Sequence, residues 1–224
     1  QNKAVTVERP IAMPPLTDKD REGLRIGREM GLSHFALSFA NRGSDVDVLR
    51  AIVGADAFVI SKIECRAGLR NLAEIADRSD ALLIDRGDLS REMPIERIPR
   101  LQKTIIGSAK RAGKKVYVAT NLLESMVVAP EPTRAEINDI YNTLADGADG
   151  LVLAAETAIG QHPVRCVAMV RRMIYEFERG DDGGEASYDD AAASLLVPPH
   201  GGALVRRVAD PEEVPDLEQL PVVA

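Results

Sequence analysis

The chain has little of what marks a nucleic-acid binder, a disulfide scaffold or a membrane protein. Tryptophan is absent and aromatic residues make up 4% of the 224 positions, which removes the stacking platforms used by single-strand binders. The 28 basic residues are outnumbered by 35 acidic ones, a net charge of −7, and no basic run follows a phosphate backbone. Nucleic acid is not an expected partner. Only Cys65 and Cys166 occur, about a hundred residues apart and outside any Cys-x-x-Cys or Cys-His cluster, so neither a disulfide framework nor a zinc site is indicated. A reducing compartment is the expectation. No apolar run approaches the ~20 residues of a membrane span. The opening QNKAVTVERP also lacks a basic-then-apolar signal layout. A cytoplasmic location without a membrane partner follows as an expectation.

What is present is an ordinary globular composition, 45% hydrophobic and 28% charged, large enough to bury a core unaided. HFALSF, AFVISK, ALLID, KVYVA and GLVLA read as strands, each followed by an amphipathic stretch. Apolar throughout, they predict strands covered on both faces, as in a parallel sheet wrapped by helices. Thr17 with Asp20, Ser44 with Asp47 and Thr133 with Glu136 fit helix-start capping boxes. Gly54, Gly113 and Gly147 fit helix ends. No Gly-rich phosphate loop follows the first strand, which disfavours a doubly wound sheet. The expected fold is α/β: a partial (β/α)8 TIM barrel of about five βα units, since a whole one takes about 250 residues. The expected domains are a barrel fragment over 1–178, an acidic Gly-rich linker over 179–193 and the truncated start of a second domain over 194–224. Beginning with Gln and ending in PVVA, the chain reads as a piece of a longer polypeptide.

The strand ends carry the candidate chemistry. In SKIECRAG, Lys62 and Glu64 stand two apart, so a strand's period of two turns both to one face. The next strand ends in Asp85, Arg86, Gly87 and Asp88 on a Gly-containing turn whose amides can face an anion. Hard divalent ions often take only one or two protein carboxylates, and Glu64 with Asp88 is such a pair; Asp88 equally fits a helix cap. Thr120 and Asn121 end the fourth strand, where a hydroxyl can hold or relay a proton. Glu156 opens the last loop, as suited to a structural pairing as to a ligand. His34, His162 and His200 share no metal spacing.

NKAVTVERP, LTDKD, HFALSFANRGSDV, SKIECRAG, IDRGDLSREMP, AGKKVYVATNLLESM, PTRAE and ETAIGQHPV together resemble pyruvate kinase, specifically the C-terminal half of its catalytic barrel, over residues 2–177. The resemblance implies phosphoryl transfer between phosphoenolpyruvate and ADP, giving pyruvate and ATP in glycolysis. It implies that Lys62 stabilises the phosphoryl group and enolate, and that Glu64 and Asp88 ligate Mg²⁺ or Mn²⁺. It places the substrate carboxylate on the backbone of Arg86, Gly87 and Asp88, and proton handling at Thr120. A K⁺ ion and a homo-oligomer are also implied, with the K⁺ site outside this chain. The sequence departs from the family pattern at Ala154 and Ala155, where Ser-Gly is usual, and at Asn121, Ser90 and Cys65, where Gln, Gly and Asn are usual.

A second resemblance covers LLVPPHGGALVRRV, which is similar to the opening of ATP sulfurylase (sulfate adenylyltransferase). Two other readings share the motifs. KIE, NLAEI and GDLS also suit metal-dependent aldolases of the HpcH/HpaI type, which NLLESM, PTRAE and ETAIGQHPV fit poorly. Ala154 and Ala155 suit a catalytically degenerate barrel regulating a fused sulfurylase.

Overall fold

A computed structural model describes residues 14–181. Its core is a five-stranded, all-parallel sheet: β1 (His34–Leu37), β2 (Phe58–Ile63), β3 (Ala81–Asp85), β4 (Lys115–Ala119) and β5 (Gly150–Val152). Spatial order follows chain order. Each crossover therefore advances the sheet by one strand, with none of the reversal that creates the crevice of a doubly wound fold. This is the partial barrel expected from the sequence. Helices fill the crossovers: α1 (Asp18–Glu29) precedes β1, and α2 (Gly43–Val53) joins β1 to β2. The links α3 (Arg66–Arg70) with α4 (Leu72–Arg78), and α5 (Arg86–Glu92) with α6 (Ile98–Arg111), lead into β3 and β4. Then come α7 (Arg134–Ala145), the short α8 (Ala155–Ala158) after β5, and α9 (Pro163–Asp181).

The strands are not all covered on both faces. Only β3 is buried at every position. In β2, Val59, Ser61 and Ile63 are buried while Phe58, Ile60 and Lys62 stay half-exposed. In β1, Phe35 and Leu37 are buried between exposed neighbours. An arc of five strands packs its convex face on helices and leaves the concave face partly open. The buried convex set forms one cluster with Val46 and Leu49 of α2, Ile75 of α4 and Ile105 and Ile106 of α6. A second cluster joins Leu122, Leu123 and Met126 after β4 to Ile140 of α7 and Cys166 and Val170 of α9. Burying such side chains stabilises the fold by about 1.5–3 kcal/mol each.

Two of the three capping boxes form as expected: Thr17 exchanges hydrogen bonds with Asp20, and Thr133 with Glu136. The third is displaced. The α2 helix starts at Gly43, where the Asp45 carboxylate accepts the Asn41 and Arg42 amides, and Asp47 pairs with Arg78 at 3.0 Å. Gly54, Gly113 and Gly147 follow helix ends at φ of 92°, 66° and 98°, where glycine avoids the Cβ clash. Helix α9 runs on through residues 179–181, overlapping the start of the expected linker. The rest of the linker, the 194–224 segment with its sulfurylase-like run, and His200 lie outside the described residues. Both cysteines are free and buried. Among the described residues no helix is long and apolar enough to cross a membrane.

Candidate active site

The carboxyl ends of β2, β3 and β4 meet at one rim. Pleat parity turns Lys62, and Glu64 just beyond β2, away from the helix-packed Val59, Ser61 and Ile63. The Lys62 Nζ lies 2.5 Å from Glu64 Oε1 and 3.2 Å from Asp85 Oδ2. The Glu64 side chain is fully buried. Its Oε2 accepts the Phe39 amide at 2.5 Å. Its Oε1 has no hydrogen-bond partner, and faces Lys62 only as an ion pair. Burial pushes the Glu64 carboxyl above its ordinary value against the opposing pull of Lys62 and the Phe39 amide. Burial also works to lower the Lys62 value, but Glu64 and then Asp85 outweigh it and raise the ammonium's pKa.

Asp85 closes β3 and caps α5, its Oδ1 accepting the Asp88 amide at 3.4 Å. The sequence offered Asp88 as the cap; Asp85 takes that role, and Asp88 faces the rim, 3.3 Å from Arg91. Oxygens of Glu64, Asp85 and Asp88 all lie within 4.8 Å of one another. The Thr120 hydroxyl, at the end of β4, accepts the Gly87 amide at 2.8 Å and contacts Asp85 Oδ1 at 3.2 Å. A Cβ on Gly87 would stand 3.4 Å from both Asp85 Oδ1 and Thr120 Oγ1, an ordinary van der Waals contact. Backbone strain collects here. Phe39, Thr120 and Asn121 have φ of 49°, 68° and 56°, a region costly for a β-branched threonine and concentrated at functional sites.

Five of the six residues singled out from sequence, Lys62, Glu64, Gly87, Asp88 and Thr120, thus converge through Asp85. Arg86 is different: its backbone is at the rim, but its side chain turns into the protein. The guanidinium donates to the Thr120 carbonyl at 2.7 and 3.1 Å and pairs with Asp139 at 2.7 Å. It clamps the strained end of β4 to α7. Asp85 itself was not singled out as a site residue, although strand parity alone puts it on the face of Leu83 and hence, through the Lys62–Leu83 register, on that of Lys62. Glu156 is structural: buried, it accepts the amides of Ala154 at 2.9 Å and Leu123 at 3.3 Å. His34 stacks on Phe58 and takes no part.

An all-parallel sheet in chain order, with a lysine and three carboxylates at its carboxyl rim, is the layout of a barrel enzyme domain. The pyruvate kinase barrel domain matches residues 1–167, and the chain belongs to that family. A pyruvate kinase of Agrobacterium vitis is 43% identical over 196 residues, 86% of this chain and 40% of the relative. That of Thermotoga maritima is 42% identical over 172 residues, 75% and 37% of the two chains. That of Clostridium perfringens is 37% identical over 211 residues, 92% and 41%. The chain spans about two fifths of the length of these curated relatives.

Proposed function

We propose that this chain carries the divalent-ion and phosphoenolpyruvate half of a pyruvate kinase site, for phosphoryl transfer between phosphoenolpyruvate and ADP. The observation that carries the reading is the convergence of Glu64, Asp85 and Asp88 oxygens within 4.8 Å of one another, with the buried Glu64 Oε1 met by the Lys62 ammonium alone. One ammonium shared between neighbouring buried carboxylates leaves their mutual repulsion under-compensated, which is costly unless a further cation meets them. The all-oxygen donor set of Glu64 and Asp88 suits Mg²⁺ or Mn²⁺, which when bound neutralises charge on phosphoryl oxygens. Lys62 aims a cation at charge that develops during transfer, where positioning and electrostatics supply most of the catalysis. The Gly87 and Asp88 amides receive the substrate carboxylate, the long 3.4 Å contact leaving the Asp88 amide the more open of the two. The Thr120 hydroxyl, which already joins Gly87 to Asp85, handles the proton that turns enolate into pyruvate. ADP, K⁺ and oligomer contacts are assigned to no residue of this chain.

The test is a chimera in which residues 1–177 replace the matching segment of the Thermotoga maritima pyruvate kinase. In a lactate-dehydrogenase-coupled assay the chimera is expected to form pyruvate. Lys62→Met should lower kcat by about 10²- to 10³-fold, the scale of losing one transition-state contact. A near-normal kcat in that variant would refute the role of Lys62, and a folded but inert chimera would mark a degenerate barrel. The 224-residue chain alone should form no pyruvate above its Lys62→Met control, because positioning of the second substrate is worth several kcal/mol.

A further inference from the structure

The geometry points to Asp85 as a third carboxylate ligand of the divalent ion, giving this site enough charge to bind the ion before any substrate arrives. The inference rests on the ion-binding reading of Glu64 and Asp88. Asp85 is buried at 8% exposure, yet each of its contacts is long: 3.2 Å to Lys62, 3.2 Å to the Thr120 hydroxyl and 3.4 Å to the Asp88 amide. Well-made bonds to a carboxylate run at about 2.5–2.9 Å. A buried anion held this loosely retains acceptor capacity, and the neighbouring Glu64 Oε1 is met only by the Lys62 ammonium, which it shares with Asp85. These two carboxylates and Asp88 bring their oxygens within 4.8 Å of each other. Charge counting agrees. Three carboxylates against the Lys62 ammonium and Arg91, which pairs with Asp88, leave one negative charge. Without Asp85 the same groups would carry no net negative charge to draw in a cation. Ligand charge count is a main determinant of hard-cation affinity.

The probe is Mn²⁺ alone, titrated into the 224-residue chain with the free ion counted by electron paramagnetic resonance. Asp85→Asn and Asp85→Ser both keep a capping oxygen for α5, so circular dichroism melting verifies the fold of at least one of them. Each is expected to weaken Mn²⁺ binding about tenfold or more, and to do so equally in high salt, which screens distant charges but not a direct ligand. Unchanged affinity in folded Asp85 variants, beside clear losses in Glu64→Gln and Asp88→Asn, would overturn the third ligand while leaving the ion reading intact. A loss that vanishes in high salt would also overturn it. No Mn²⁺ binding by the wild-type chain, or affinity indifferent to Glu64 and Asp88 as well, would overturn both.

Discussion

Replacing Arg86 by methionine tests whether this residue holds the rim together from behind. Its guanidinium makes two hydrogen bonds to the Thr120 carbonyl and an ion pair with Asp139, and its side chain is 10% exposed. Methionine fills much of the space but leaves that carbonyl and the Asp139 carboxylate without their partner. Breaking a fully buried pair costs about 3–5 kcal/mol. Asp139 is 38% exposed and can rehydrate, so the lower end applies, about 3 kcal/mol. For a chain of this size that lowers the melting temperature by about 6–12 °C. Asp139→Asn, which leaves the Thr120 contacts in place, should cost about 1 kcal/mol or less. Thermal melts followed by circular dichroism read both. An Arg86→Met variant melting within about 2 °C of wild type would refute the clamp.

Thr120→Val keeps the β-branched residue at positive φ but removes the hydroxyl that joins Gly87 to Asp85, and should cost about 1–3 kcal/mol. Thr120→Gly loses the same hydroxyl while relieving the left-handed strain, so it should melt above the valine variant; equal melting would show that no strain is stored there. Glu136 accepts hydrogen bonds from Ser125 and Thr133. Burial pushes its carboxyl up, but these bonds prevail and hold it below 4.5. The stabilisation it gives is therefore complete above 4.5 and is lost as pH falls through the lower folded value. Glu136→Gln should be less stable than wild type by about 1–2 kcal/mol at neutral pH, and chemical denaturation should show the gap closing in acid; a constant gap would contradict the shift.

The strands were legible because apolar runs such as those in ALLID and KVYVA have few alternatives to a sheet, although only β3 is buried throughout, and the Thr17 and Thr133 caps because each has its acid at the required spacing. The α2 start was not, because RGSDVD supports a box closed by Asp45 or by Asp47, and only the path of the chain from β1 selects Asp45. Lys62, Glu64 and Asp88 were legible from strand-end position and residue type. Asp85 was not, because a carboxylate between an apolar run and a turn is indistinguishable from a cap until the neighbouring strand sets Lys62 beside it. Arg86 shows the remaining limit. From sequence only its backbone has a role, and nothing local reveals that α7 brings Asp139 within 2.7 Å of its guanidinium. Periodicity and residue type are properties of a segment, and they determined where the elements lie and which chemistry they can carry. The direction in which a long side chain turns is decided by partners distant in sequence, and those exist only once the sheet has formed.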